Sequence, residues 1–458
     1  MNLKTDCTTM KAEADMLTGM IRDSRTYDRH NHRNIEENES ESLLLFWKRV
    51  REAYQHSSFY RDLYRAHGIG REDLGHMRPD QLPVVTKDMV RAEFPRISQI
   101  PPVLAHTPVK DRGVKLLPGI GYLVHTSGST GRPARYLYSN DAVTAMEANF
   151  VRLSTAGGRY IISFRDFPIR SLHIAAVGSG YASMLILKHG LRDYRCQSVL
   201  IDADTPLDSW PQKIGTFRPN YLSGYPSCIR LAAQLERQGR IDIHPRKIIT
   251  GGEPMTRAQM NELAEVFGGD VINYYGCTES LFIGAGSSWY DGIYLFDDVN
   301  YLETDAMNRL IITPLVNPAF PLIRYQMNDI MEDFTREYVP PLPYPHIRRI
   351  AGRAEDLLWF QNEDGRRDFL HPLFLDDLDV QGIEQYQFVQ DSSTHFTIRC
   401  VSSQPDHAAL EAAARRQIDG MLNKKRMGNV TYAFVFPDHL EPDPKTGKIR
   451  MVLSAGNQ

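Results

Sequence analysis

The segment Thr126-Ser127-Gly128-Ser129-Thr130-Gly131-Arg132-Pro133 concentrates the residue types that bind phosphate. Glycines let a backbone approach a polyphosphate without Cβ obstruction, and successive N–H groups with Ser/Thr hydroxyls donate to its oxygens. A Ser/Thr/Gly cluster also makes a plain surface loop, and read alone the segment fits both. It is not a Walker loop, because no GK[ST] follows. A second cluster, Tyr274-Tyr275-Gly276-Cys277-Thr278-Glu279, follows a strand-like run. An aromatic ring there can stack on a base, a threonine can hold a phosphate and a carboxylate can bind Mg²⁺. A strand-end turn accounts for the same residues. Three further pieces lie downstream: RYQMND at Arg324–Asp329, GRAED at Gly352–Asp356 and PKTGKIR at Pro444–Arg450. Singly, Asp329 reads as a turn residue, Arg353 as a surface ion pair and Lys448 as one more exposed lysine.

The elements that must position these residues alternate along the chain. Strand-like runs at 122–125, 134–138, 171–177 and 196–202, then NYLSGY, RKIITGG and VINYYG, are interleaved with helical patterns at Cys228–Gln238 and Thr256–Phe267. Gly190, Gly239 and Gly268 stand where left-handed helix caps favour glycine. Alternation of this kind predicts an α/β fold, a large domain whose mainly parallel sheets are flanked by helices. Ligands of such sheets bind at the carboxyl ends of the strands. After about residue 349 the text changes to short strands and the amphipathic helix His407–Leu422, a small α+β module. The predicted division is a polar leader over residues 1–42, mobile or loosely docked and closed by the acidic run Ile35–Ser42; a large domain over 43–352; and a small C-terminal domain over 353–458.

Composition narrows the function classes. The 458 residues carry 53 basic and 56 acidic side chains, a net charge of −3, so nothing calls for nucleic acid or a membrane surface as partner. Cys7, Cys196, Cys228, Cys277 and Cys400 are scattered without a CxxC pair, against both a disulfide framework and a structural zinc site. The N-terminus has no apolar signal core, and no run approaches the roughly 18 apolar residues of a membrane span. A reducing cytoplasm is the expected compartment.

Order and spacing add what the single motifs lack. TSGSTGRP, YGCTES, GRAED and PKTGKIR stand as they do in the adenylate-forming superfamily of acyl-CoA synthetases, adenylation domains and luciferase, which the chain resembles from about Leu43 to Arg450. SSFYRDLYRAHGI, LPVVTKDMVRAEFP, SGYPS and TGGEPMT make it similar to the phenylacetate–CoA ligase branch and its capsule-biosynthesis-type relatives. The resemblance implies that Thr126, Ser127, Gly128, Ser129, Thr130 and Gly131 hold the phosphates of ATP. It puts Gly251, Gly252 and Glu253 beside the adenine, with Tyr275 stacked on it next to Gly276. Thr278 is implied at the α-phosphate, Glu279 on Mg²⁺, Asp329 on the ribose hydroxyls and Arg353 near ribose or phosphate. Lys448 is implied to stabilise the α-phosphate as the carboxylate attacks, carried by a small domain that swings about Glu355.

The expected reaction is ATP-dependent activation of a small carboxylic acid, aryl or other, as acyl-AMP, with CoA as the first acceptor. An amine or a carrier-protein thiol is the alternative acceptor, and a catalytically silent nucleotide binder is the alternative outside enzymology. A homodimer is left open. The sequence departs from the superfamily at Ala134, where lysine is common and Arg135 is adjacent, and in LLWFQNEDGRRDFLHP after GRAED, which bears on the acceptor surface. His106, His125 and His173 read as core or strand-end residues, and Cys277 as a small wall residue without a partner base. Phe150, Tyr181, Tyr221 and Tyr225 fit an aromatic acid pocket and core packing equally.

Overall fold

Asn34 starts the first long helix. Its side chain accepts from the Glu37 N–H at 2.7 Å while the Glu37 carboxylate accepts from the Asn34 N–H at 3.4 Å, a reciprocal cap that opens Ile35–His56. A computed structural model describes residues 22–23, 25–98, 115–117, 119–125, 134–152, 168–175, 185, 197–351, 358–370, 380, 382–383, 385–441 and 452–453. The helix corrects the expected leader. The acidic residues Glu36 and Glu37 occupy its first turn, where they complement the helix dipole, and Ile35, Asn38 and Ser42 are buried. Upstream, the Tyr27 hydroxyl donates to the Ala145 carbonyl at 3.0 Å, and the buried His30 ring bridges Asp298 at 2.6 Å and Glu41 at 3.1 Å. Residues 25–42 therefore pack on the large unit, and position 43 lies inside a helix. Residues 1–21 of the leader are outside the described residues.

Strands β1 (Lys115–Leu117), β2 (Gly121–His125) and β3 (Arg135–Tyr138) form a small antiparallel sheet, with residues 126–134 between β2 and β3 in sequence. The main sheet is built from β4 (Arg170–Ala175), β5 (Gln197–Asp202), β6 (Tyr221–Gly224), β7 (Lys247–Gly251), β8 (Asp270–Tyr275), β9 (Gly284–Ser287), β10 (Tyr290–Leu295) and β14 (His346–Ile347), in the order β14-β10-β9-β8-β7-β6-β4-β5. From β5 to β8 all pairs are parallel, as the strand–helix alternation predicts. From β8 onward the pairs are antiparallel; the β8–β9 and β9–β10 connections are too short for a crossover helix, and β14 returns to β10 after the third sheet's first three strands. A third sheet, β11 (Asn300–Thr304), β12 (Arg309–Pro314), β13 (Tyr325–Glu332) and β15 (Arg349–Ala351), is antiparallel throughout.

The helices on the main sheet follow from their spacing. Thr256 and Gln259 form a capping box that opens Arg257–Phe267, and Gly268 closes it in the left-handed region at φ 71°. Met260, Leu263 and Phe267, three and four residues apart, are buried in one core with Ile229, Ala232 and Leu235 of the helix Pro226–Arg237 and with Leu222 and Ile248 of the sheet. Each buried Leu, Ile, Met or Phe among them contributes about 1.5–3 kcal/mol relative to exposure.

The C-terminal module has its own core. β18 (Gln385–Gln390), β19 (His395–Val401), β20 (Thr431–Val435) and β21 (Val452–Leu453) form a sheet covered by the helix His407–Lys424, which buries Leu410, Ala414, Ile418 and Leu422. The hairpin β16 (Leu358–Gln361) and β17 (Arg367–Leu370) joins the two units by strand alternation. Leu358, Phe360 and Leu370 point into the C-terminal core, and the cross-strand pair Trp359–Phe369 packs with Trp210 of the large unit. Among the described residues no helix is long and apolar enough to cross a membrane.

Candidate functional site

β7 and β8 are adjacent and parallel, with Gly251 in register with Tyr274, so the GGE and YGCTE segments leave the sheet along one edge. Gly252 takes φ 85°, where a side chain is strained, and a Cβ there would lie 3.2 Å from the Tyr225 ring. The Glu253 carboxylate accepts from the Ser227 N–H at 2.9 Å and from the Ser227 hydroxyl at 2.8 Å. It thereby caps the helix Pro226–Arg237, whose own cap residue Tyr225 supplies no side-chain hydrogen bond. With that carboxylate engaged in capping, what this segment presents is its glycine backbone.

Tyr275 and Asp329 come together from different sheets. The Tyr275 hydroxyl donates to Asp329 Oδ2 at 2.8 Å, and both residues are buried. Asp329 is no turn residue. It lies on β13, where alternation buries Tyr325, Met327, Asp329 and Met331 on one face. Arg324 fixes the start of that strand: its guanidinium donates to Glu303 at 3.0 Å and to the carbonyls of Asp80, at 3.0 Å, and Leu82.

Glu279 sits half-buried in the turn between β8 and β9. Its Oε1 accepts from the hydroxyls of Tyr136, on β3, and Tyr325, on β13, each at 3.0 Å. The other oxygen receives no hydrogen bond from the described residues. Two places along β3, the Tyr138 hydroxyl donates to the Thr278 carbonyl at 2.6 Å. Strand β3, which follows Thr126–Pro133 in sequence, is thus tied to both Thr278 and Glu279. Burial pushes the Tyr136 and Tyr138 phenols well above their ordinary pKa, with the negative charge of Glu279 adding to it, so both keep their protons and donate. Sequence reasoning passed over these tyrosines, because an aromatic at alternate strand positions reads as core. The available signal was the polar tip that a buried tyrosine must satisfy.

Gly276 sets the geometry of the turn. A Cβ on it would lie 2.0 Å from the Leu281 carbonyl oxygen, in a backbone held by Cys277 N–H to Ser280 O at 3.1 Å and Ile283 N–H to Tyr275 O at 2.8 Å. Gly276→Ala is therefore expected to destabilise the protein by about 1–3 kcal/mol, the range for overpacking a tight site. A urea denaturation midpoint checks it, and an unchanged midpoint contradicts it. The Cys277 sulfur lies 3.3 Å from the Ser280 backbone nitrogen, whose N–H it accepts. Burial raises this thiol well above its ordinary pKa, in keeping with a wall residue rather than a nucleophile. His173 is a strand residue 2.8 Å from the Ser223 hydroxyl, and desolvation lowers its pKa to about 4, so it is a neutral core histidine. Tyr221 and Tyr225 are core residues as well. Ala134 is fully buried. Thr126–Gly131, Arg353, Glu355 and Lys448 lie outside the described residues, as do His106 and Tyr181.

Comparison with known proteins points one way. The AMP-binding enzyme family matches residues 103–303. The phenylacetate-coenzyme A ligase of Pseudomonas putida is 27% identical over 255 residues, which are 51% of this chain and 54% of that protein. The chain thus spans about half the length of that relative. The phenylacetate-coenzyme A ligase of Aromatoleum evansii is 26% identical over 340 residues, 69% of this chain and 70% of its own. A crystal structure of 2-hydroxyisobutyryl-CoA ligase with 2-HIB-AMP and CoA superposes with a TM-score of 0.60 at 21% identity, covering 93% of this chain and 91% of that one. At that identity the superposition establishes a shared fold.

Proposed function

We propose, from the premise that this chain belongs to the AMP-binding, adenylate-forming enzymes in their phenylacetate–CoA ligase-like branch, that it activates a small carboxylic acid with ATP and passes the acyl group to CoA. In the first step a carboxylate oxygen attacks the α-phosphorus, the bond to the β-phosphate bridging oxygen breaks, and pyrophosphate leaves. In the second the CoA sulfur attacks the acyl carbon and AMP departs with the bridging oxygen.

The observation that carries the reading is the double contact between the end of β8 and β13: Tyr275 meets Asp329, and Glu279, four residues on in the turn, meets Tyr325. In this reading the Tyr275–Asp329 pair meets the adenosine, and the Gly251–Gly252 backbone lies beside its base. The phosphate loop Thr126–Gly131 holds the leaving pyrophosphate, and Thr278 faces the α-phosphate. Arg353 and Lys448 supply positive charge where two anions meet, and Glu355 is the hinge about which the small domain turns. Glu279 fits the Mg²⁺ that accompanies ATP, because one of its carboxylate oxygens carries no hydrogen bond among the described residues and is of the hard type such an ion selects. Bound there, Mg²⁺ supplies charge compensation for the phosphates. A reducing cytoplasm suits Cys228, Cys277 and Cys400, all free thiols.

The test is pyrophosphate exchange and AMP release across a panel of aryl and aliphatic acids, with CoA, an amine or a holo-carrier protein added in turn. Exchange with at least one acid and AMP release on adding CoA is the expected result. An amide or a carrier-bound thioester in place of acyl-CoA replaces the acceptor. Absence of exchange with every acid overturns the activity.

A further inference from the structure

Glu279 is held in an unusual way for a residue that is to bind a cation. Tyr136 comes from the small antiparallel sheet, Tyr325 from the third sheet and Glu279 from the turn that joins β8 and β9 of the main sheet, so the contact ties three sheets together. Both tyrosines are almost wholly buried, at 1% and 2% exposure, and the Tyr136 ring packs edge-on against Phe320 at 5.7 Å. Neither can swing away without opening the core. Their hydroxyl oxygens are 3.3 Å apart and both converge on the same carboxylate oxygen, Oε1.

A carboxylate oxygen has two lone-pair sites. Two phenol donors fill both on Oε1, and Oε2 is left with none occupied by the described residues. A cation that takes both carboxylate oxygens must displace a phenol, and a hydrogen bond to a charged group is among the stronger ones in a protein. A cation that takes one oxygen displaces nothing. The two ions that accompany ATP differ in this respect. Mg²⁺ keeps near-octahedral geometry with several waters and one or two carboxylate contacts, whereas Ca²⁺ takes six to eight oxygens and accepts bidentate carboxylates readily.

We infer that Tyr136 and Tyr325 form a clamp that restricts Glu279 to single-oxygen ligation and so selects a small octahedral cation over calcium in the nucleotide complex. The clamp positions the ligand and touches neither substrate nor cation. This inference rests on the proposal that Glu279 is the metal ligand.

The test uses full-length protein with ATP and no acid, so that nothing turns over. Mn²⁺ bound in the protein–ATP complex is read by electron paramagnetic resonance and displaced with Ca²⁺. Tyr136→Phe with Tyr325→Phe is expected to raise the affinity for Ca²⁺ relative to Mn²⁺ by about tenfold, the size of one hydrogen bond to a charged group. Each single variant, which keeps its ring volume and one donor, should fall between. A ratio unchanged in the double variant, or in both singles should the double not fold, overturns the clamp. A merely structural role for the tyrosines would weaken both ions together and leave the ratio where it was. Glu279→Gln separates the two layers: if it leaves Mn²⁺ binding intact, Glu279 is not the ligand, and the premise falls together with the clamp.

Discussion

Replacing Lys448 with alanine is expected to lower acyl-AMP formation by about a hundredfold or more, with ATP affinity nearly unchanged. The carboxylate and the α-phosphate are both anionic, and the charge at phosphorus rises as the new bond forms. A lysine brought up at that moment acts on the transition state rather than on bound ATP, so its loss falls on rate and not on binding. A hundredfold is about 2.7 kcal/mol of barrier, within what one positioned charge supplies. Pyrophosphate exchange measures the rate and calorimetry with ATP measures the affinity. A second expectation sharpens the first: if the lysine serves only the adenylation step, thioester formation from supplied acyl-AMP should stay within a few fold of wild type. A loss of less than about fivefold in exchange would show that Lys448 is not the residue that acts on the transition state. The same experiment removes the silent-binder reading, since a binder has no rate to lose.

Lys425→Ala is expected to destabilise the protein by about 3–5 kcal/mol, the cost of stranding a buried charge. Lys425 and Asp368 are 1% and 2% exposed and meet at 3.2 Å. The ammonium also donates to the Thr205 carbonyl at 3.1 Å and lies 4.1 Å from the centre of the Phe369 ring. Asp368 Oδ2 accepts from the Leu207 N–H at 3.2 Å. The pair belongs to the C-terminal module, yet its outer hydrogen bonds close on backbone of the large unit, so it fastens the two together. Around it, Lys424 meets Asp204 at 2.8 Å and Arg366 meets Asp208, but these are partly solvated and worth little. Urea denaturation followed by tryptophan fluorescence reads the junction directly, because Trp210 and Trp359 flank Phe369. Lys425→Met combined with Asp368→Asn removes both charges at similar volume and should recover most of the loss, as neutral replacements of buried pairs do. A single-variant loss below about 1 kcal/mol would mean that water reaches the pair and that the junction rests on the aromatic contacts alone.

The local devices of this protein are written along the chain. Thr256 and Gln259 stand three apart, so they cap a helix, and Gly268 ends it, since both effects act within one turn. Strand and helix alternate from Gln197 to Tyr275, and the parallel sheet follows. The acidic run at Ile35–Ser42 misled for the same reason: its charges crowd the first turn, and a face of only three buried residues within the run gives too weak a period to mark a packed helix.

The order of the motifs and most of the elements around them are legible along the chain, because caps, turns and periodicities are read within a few residues. Packing alone brings Tyr136 and Tyr325, 143 and 46 residues away from Glu279, onto the same one of its two oxygens. It also decided that of the consecutive Lys424, Lys425 and Arg426 the middle one is buried while its neighbours remain in solvent. Such choices depend on how three sheets and a hairpin pack against one another, and contacts closed across that packing leave no period or spacing in the chain.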